Sequence, residues 1–274
     1  MKKRLLVCLL SMTCLLLGAC AAAQQTLTIQ FFDVGKADAM LIITPSGQTI
    51  LIDTATNKEG KKLVERFKEM GIERIDVLIV THYDKDHVGG ADKILEEFPV
   101  GRVYMPVYDK DSKQYEQFEE ALLENAPGQV VRMKQGSKET FEIGGVQLEL
   151  TAAQRSFYGE DEENDFSLCV RMRFGQTRFL FPGDAEKARQ MEILGEGNVA
   201  CDVLKVPYHG RLTDASAAFI AQASPQIAFV PDDEEEPGSP AVYEMLHQAG
   251  AQVYSAQQGD LTVLSDGQRV WVQP

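Results

Sequence analysis

Ten residues, Thr81 to Gly90 (THYDKDHVGG), hold two of the chain's four histidines and two aspartates: His82, Asp84, Asp86 and His87. Side chains of these types at this density repel one another, or lose solvation when gathered, unless a cation holds them together. Imidazole and carboxylate donors suit zinc, manganese or iron better than an ion that prefers thiolate. Three further positions repeat one pattern, an apolar run ending in an acid or a histidine. Asp53 closes TILID, Asp184 follows FLFPG, and His209 follows DVLKVPY. With Asp38 these make five carboxylates and three histidines able to converge, provided the apolar runs are strands that end on one edge of a sheet sandwich. The chemistry implied is metal-assisted hydrolysis, in which a bound water loses a proton near neutral pH and attacks a phosphorus or carbonyl centre.

The elements that must position these groups follow from periodicity. The branched apolar run Ile75 to Val80 leads straight into the ligand-rich loop and reads as a buried strand. Residues 27–33, 38–43 and 48–53 alternate as strands of antiparallel hairpins, separated by turn signals at Val34-Gly35 and Pro45-Ser46-Gly47. Lys58 to Met70 is an amphipathic helix with Leu63, Val64, Phe67 and Met70 on one face and Gly71 as its stop. Further helices are predicted over 91–98, 114–124, 186–194, 214–222 and 240–249. Strands are predicted over 103–105, 129–133, 140–143, 146–151, 167–174, 177–181, 203–206, 227–230, 252–255, 261–264 and 270–272. Neither a short-period repeat nor a long linker interrupts residues 27–274, which predicts one domain. Meanders first and strand–helix alternation later predict an α/β fold, two sheets face to face with helices outside, an α/β/β/α sandwich.

The first twenty residues read as a leader. Lys2, Lys3 and Arg4 precede an apolar stretch over residues 5–19 that is too short for a comfortable membrane span. Leu17-Gly18-Ala19-Cys20 resembles a bacterial lipobox, which implies cleavage before Cys20, a lipid on its sulfur, and a chain anchored to the membrane in the cell envelope, outside the cytoplasm. Residues 21–26 then form a tether. Cys8 and Cys14 fall in the leader, so only Cys169 and Cys201 belong to the domain; both sit in apolar runs and are expected as buried free thiols. The formal charge is −14, and setting aside the three basic residues of the leader leaves 24 basic against 41 acidic groups, or −17. The basic footprint of a tight, sequence-independent DNA binder is missing. A nucleic-acid substrate would therefore have to be held by metal and local contacts.

Taken in order, these segments resemble the metallo-β-lactamase superfamily over residues 27–274. Its T-H-x-H-x-D-H motif stands here as Thr81-His82-Tyr83-Asp84-Lys85-Asp86-His87, with Asp in the second histidine position. That form is similar to the extracellular metallo-hydrolase domain of the competence protein ComEC. So are FFDVGKADAMLI against an FLDVGQGDA-type start, DHVGG, LFPGDAE, and DVLKVPYHG against a DVLKVGHHGS-type segment. The resemblance implies a phosphodiesterase or nuclease acting on DNA, single-stranded DNA foremost, or on another phosphodiester. It implies His82 and Asp84 in one metal site, Asp86, His87 and His209 in a second, Asp184 bridging the two, and Asp53 and Asp38 as outer residues that orient the ligands. Asp86 is the residue it points to for steering the nucleophilic water.

The chain departs from the family pattern in ways that bear on metal count. A third-motif histidine is due near Glu163 to Asp165, where the sequence reads GEDEENDFSLCV; Asn164 or Asp165 is the stand-in, or the first site is weak. Lys36-Ala37 replaces Gln-Gly, and Tyr208 and Arg211 flank His209 where His and Ser are usual. One or two ions are thus expected, zinc first. The acidic runs Asp232 to Glu236 and Glu160 to Glu163 read as solvated loops, the former at most bordering the site. Two other functions compete: hydrolysis of a lactone, thioester or envelope phosphoester on the same fold, and a weakly catalytic binding module of a competence or envelope complex.

Overall fold

The structure is a computed structural model that describes residues 26–159 and 163–273. The expected leader, Cys20, nearly all of the tether, and residues 160–162 of the second acidic run lie outside the described residues. Chain order runs β1 (Leu27–Phe31), β2 (Met40–Ile43), β3 (Thr49–Ile52), α1 (Asn57–Glu69), β4 (Ile75–Ile79), α2 (Ala91–Glu97), β5 (Val100–Pro106), α3 (Lys113–Asn125) and β6 (Val130–Met133). It continues with β7 (Lys138–Ile143), β8 (Val146–Thr151), β9 (Cys169–Phe174), β10 (Thr177–Phe181), α4 (Lys187–Glu196), β11 (Val203–Lys205) and α5 (Ser216–Ala223). The last elements are β12 (Ile227–Val230), α6 (Pro240–Gln248), β13 (Gln252–Ser255), β14 (Leu261–Ser265) and β15 (Val270–Val272), and short 3-10 turns cover Glu163–Phe166 and Pro207–Gly210.

Two sheets result, ordered β15-β14-β1-β2-β3-β4-β5-β6 and β13-β12-β11-β10-β9-β8-β7. Their inner faces meet in one apolar layer, in which Phe31 from the first sheet lies 4.7 Å, centroid to centroid, from Phe229 of the second. The outer face of the first sheet is covered by α1, α2 and α3 through Leu63, Phe67, Ile94, Leu95, Phe118 and Leu122. The outer face of the second is covered through Ile193, Phe219, Ile220, Val242 and Leu246 of α4, α5 and α6. This is the α/β/β/α sandwich the alternation of elements predicts. Strands covered on both faces, such as β3 (TILI) and β12 (IAFV), are buried along their whole length, which is why they read as unbroken apolar runs. Among the described residues no helix is long and apolar enough to cross a membrane. Cys169 and Cys201 are buried and free.

The sheets share a feature that decides where chemistry can occur. β3 pairs antiparallel with β2 and parallel with β4. β10 pairs antiparallel with β9 and parallel with β11. Each sheet thus changes direction of connection at one strand, and the loops beyond the carboxyl ends of β3, β4, β10 and β11 leave a crevice there.

The loop after β4 is held by backbone contact. Gly60 of α1 faces Gly90 so closely that a Cβ on Gly60 would lie 2.4 Å from the Gly90 Cα, and one on Gly90 would lie 2.4 Å from the Thr54 carbonyl. A Gly60→Ala change therefore pushes α1 off the loop. It should destabilise the protein by about 1–3 kcal/mol, the usual range for overpacking, read as a lower urea midpoint with unchanged slope.

Candidate metal centre

Every donor-bearing residue of the sequence pattern except Asn164, Asp165 and Asp38 follows the end of a strand at this crevice. Asp53 follows β3, residues 82–87 follow β4, Asp184 follows β10, and His209 follows β11. Asp38 precedes β2, whose antiparallel direction brings it to the same edge. The backbone is forced into place here. Of the six non-glycine residues with positive φ among the described residues, Asp53, Ala55, Tyr208 and His209 lie at the site. Such conformations are costly and persist only where surrounding contacts hold them. Gly183, at φ 58°, supplies the turn that delivers Asp184; a side chain there would meet Ser167 at 2.9 Å.

Hydrogen bonds then aim the rings. The Asp53 carboxylate accepts from the Thr81 amide at 2.8 Å and the Thr81 hydroxyl at 2.7 Å, and faces His87 Nδ1 at 2.9 Å. It joins the end of β3 to the loop after β4 and leaves His87 Nε2 pointing inward. His209 Nδ1 donates to the Pro231 carbonyl at 2.7 Å, so its Nε2 also points inward. His82 Nδ1 lies between the hydroxyls of Thr81 at 3.1 Å and Ser167 at 3.4 Å. The N-cap of α1 is Thr56, so Asp53 is left to this task.

Donor atoms of Asp38, His87, Asp184 and His209, all buried, lie within 4.8 Å of one another. Asp184 Oδ2 is 2.8 Å from His209 Nε2 and 3.3 Å from His87 Nε2, and Asp86 Oδ2 is 3.5 Å from His209 Nε2. His82 Nε2, His87 Nε2, His209 Nε2 and both Asp38 oxygens are buried without a hydrogen bond of acceptable geometry. Buried polar atoms are rarely left so, and nitrogen and oxygen donors crowded to this spacing fit a divalent cation.

The electrostatics agree. Burial opposes an imidazolium at His209, but the carboxylate of Asp184 overrides it and lifts the group to about 9. His87 is likewise raised despite burial, by Asp184, Asp38 and Asp53. His82 falls to about 4 through burial and the neighbouring His87. Burial pushes the Asp184 and Asp86 carboxyls up, yet His209 and the other cations hold both below the usual carboxylate range. Burial prevails at Asp38 and raises it.

Several placements differ from the sequence expectation. Asp38, expected as an outer residue, belongs to the four-residue cluster; it is fully buried, because the turn at Gly35 folds it beneath the loop after β4, where its amide donates to the Asp86 carbonyl at 3.0 Å. Asp84 does not join the cluster: its half-exposed carboxylate accepts from Lys110 at 2.9 Å and lies 4.0 Å from His82 Nε2. Asp165 is taken up in capping α4, accepting from the amides of Glu186 and Arg189 at 2.8 and 3.0 Å. Asn164 donates to Glu186 at 2.9 Å and keeps a buried, unpartnered side-chain oxygen at the site's rim. The run at Asp232 is not simply solvated. Asp232 is buried and accepts from Gly238, Tyr243, Ser255 and Gln257, while Asp233 accepts from the Lys36 amide and Glu236 pairs with Arg211.

Sequence reasoning also passed over Lys205. Its ammonium is fully buried, 2.5 Å from Asp38, 2.9 Å from Asp184 and 2.9 Å from the Gly183 carbonyl. The signal was available: a lysine inside the apolar run DVLKV, in a strand that must be buried. A pocket of about 450 Å³ opens onto the cluster, rimmed by Lys36, Lys85, Lys110, Tyr208 and Arg211. A larger recess of about 560 Å³ on the outer face of β7 to β10 holds none of these donors, so the chemistry belongs to the smaller one.

With this geometry in view, the comparison with known proteins is decisive on family. The profile of the metallo-beta-lactamase superfamily matches residues 33–231. The chain belongs to the metallo-β-lactamase superfamily. It is 26% identical over 242 residues to ComE operon protein 3 of Bacillus subtilis, covering 82% of this chain and 30% of that protein. It is 26% identical over 232 residues to Recombination protein 2 of Haemophilus influenzae, covering 82% and 27%, and 24% identical over 212 residues to competence protein ComA of Neisseria gonorrhoeae, covering 76% and 27%. The chain thus spans less than a third of the length of these curated relatives. Among solved structures, the diiron β-hydroxylase CmlA of Streptomyces venezuelae superposes with a TM-score of 0.56 at 18% identity, over 86% of this chain and 53% of that one. The metallo-beta-lactamase fold protein YhfI of Bacillus subtilis gives 0.55 at 11%, over 90% and 100%. Both likenesses are of fold. As a metallo-β-lactamase-fold protein the chain carries its candidate metal group where two sheets meet at their switch points.

Two outcomes follow from the charges. Removing one partner of a buried ion pair strands the other, so Lys205→Met should cost about 3–5 kcal/mol, measured by denaturant unfolding of the metal-free protein. His209, raised from 6.5 to about 9, contributes stability that is complete below pH 6.5 and lost as pH rises through about 9. Because a metal ligand must be unprotonated, the rise in melting temperature on adding zinc or manganese should grow over the same interval; a shift that shrinks with pH would contradict the assignment.

Proposed function

We propose that this chain is a metal-dependent phosphodiesterase or nuclease that acts outside the cytoplasm, anchored through a lipid on Cys20. The observation that carries the reading is the buried donor cluster opening into a pocket whose mouth carries lysine and arginine side chains among its acids. The protein is acidic overall, at −14, and at this pocket Lys36, Lys85, Lys110 and Arg211 stand among Asp84, Asp86, Asp111, Asp184 and Glu236. A phosphate at the reacting centre is met there by individual cations beside the metal group, at short range. Names of the relatives, which speak of competence and recombination, favour DNA, and single-stranded DNA in particular, as the diester.

In this reading His87, Asp184 and His209, with Asp86 or Asp38, hold the tight ion, and zinc suits that donor set ahead of manganese or iron. When bound, a divalent cation there supplies Lewis acidity and a nucleophilic water near neutral pH. Asp86 is the group that orients the water; ionised, and 3.2 Å from Lys36 Nζ, it stands at the pocket between the cluster and its mouth. Lys36 and Arg211 steady the non-bridging oxygens of the diester as negative charge builds on them. Asp53 acts one step removed, by fixing the His87 ring.

Metal-stripped protein should regain hydrolysis of bis-p-nitrophenyl phosphate and of single-stranded DNA when zinc or manganese is returned. Asp86→Ala should lower kcat by about 10²-fold, the scale of a misplaced reacting group, in a domain that circular dichroism shows to be folded. Turnover of a lactone or thioester, and of neither diester, would show a hydrolase of another class. Metal binding without any turnover would favour a binding module.

A further inference from the structure

The first metal position of this fold is expected to draw on His82, Asp84 and a third residue near 163–165. The structure places a lysine between the second and third of these. Lys110, from the segment joining β5 to α3, has its Nζ 2.9 Å from Asp84 Oδ1 and in a close ion pair with Glu163 Oε2. Its side chain is four-fifths buried. The lysine is also built in from both sides. Tyr108, two residues earlier, stacks on Tyr83 and on Phe166, at 4.5 Å from each ring, and its hydroxyl accepts from the Tyr83 amide at 2.6 Å. Tyr83 is the neighbour of Asp84, and Phe166 closes the turn that begins at Glu163. One aromatic stack therefore fixes the lysine, the aspartate and the glutamate relative to one another.

The rest of that position is incomplete. His82 Nε2 is buried and unpartnered; Asp84 lies 4.0 Å from it, and the His82 ring packs against that of His87 with 4.0 Å between centroids. The candidate metal group among the described residues takes in neither His82 nor Asp84. Asn164 donates its amide nitrogen to Glu186 and keeps only a neutral amide oxygen, buried and unpartnered, toward this position. Two carboxylates that a cation would otherwise join are already bridged by an ammonium.

We propose that Lys110 is a built-in cation standing in for the first metal ion, so that this chain works with a single metal held by His87, Asp184 and His209 together with Asp86 or Asp38. The inference rests on the metal-dependent hydrolase reading and sharpens it. The Lys110 ammonium takes the place between Asp84 and Glu163 that a first metal would occupy, and its charge is spent on those two acids. It carries no Lewis acidity, so the entire burden of activating water falls on the second position.

Native mass spectrometry and calorimetric titration of the purified chain with zinc and with manganese test this without recourse to activity. The unmodified chain should hold one ion at saturation. His82→Ala should leave that count unchanged, and His209→Ala should abolish tight binding. Lys110→Ala should admit a second, weaker ion on the freed Asp84 and Glu163, with spin coupling appearing in the manganese resonance spectrum. Lys110→Arg should keep the count at one. Two ions in the unmodified chain, or no second ion in Lys110→Ala, overturn the assignment of Lys110 while leaving a metallo-hydrolase intact. No ion in any of these chains overturns both readings. Melting curves of each variant establish that it is folded before its count is taken.

Discussion

Four carboxylates, Asp38, Asp53, Asp86 and Asp184, are packed at one edge of the sandwich, and the structure depends on how their repulsion is met. Without metal, the answer is two imidazoles and one buried ammonium. Lys205 on β11 of the second sheet reaches both Asp184 of its own sheet and Asp38 of the first. It thereby ties the two sheets together at the point where their apolar layer gives way to polar groups. In a low-dielectric setting such contacts are strong, and so is the penalty for leaving any one of them unmet. Burial and strained backbone at Asp53, Ala55, Tyr208 and His209 are tolerated because this network over-determines their positions.

The same network sets what a metal can do. Lys205 engages Asp184 Oδ1, leaving Oδ2 to face both His87 and His209. Asp53 and the Pro231 carbonyl each hold one ring nitrogen and present the other. Ligands positioned before the ion arrives lose little freedom on binding it, which is the physical content of preorganisation. On the opposite side the His82 ring is held by the hydroxyls of Thr81 and Ser167, while Asp84 beside it is engaged by Lys110 from a neighbouring loop. The asymmetry of the site is thus built from lysines as much as from ligands.

Around the centre, lysine and arginine side chains are interleaved with acids at the mouth of the pocket. The positive side chains of that mouth are partly spent on acids, Lys36 on Asp86 and Arg211 on Glu236, so their field is short-ranged. That is compatible with recognition of a phosphate at the reacting centre and incompatible with a long nucleic-acid footprint.

Most of the architecture was legible in the sequence. Apolar runs such as TILID and FLFPGD carry their own strand signal and their own stop, because a strand buried on both faces admits no polar residue until it ends. The grouping of His82, Asp84, Asp86 and His87 announced a cation, and the absent third-motif histidine announced an asymmetric site. What the sequence could not decide was which acids share a cavity. Asp38 and Asp84 look alike in the chain, yet one is buried under the loop after β4 and the other is claimed by a lysine twenty-six residues on. Asp165 looks like a ligand and instead caps a helix. Lys205 looks like a blemish in an apolar run and is the cross-link between two sheets. These outcomes rest on through-space distances between elements far apart in the chain. A residue's type limits the partners it can take, and only the packing of the two sheets determines which partner is within reach.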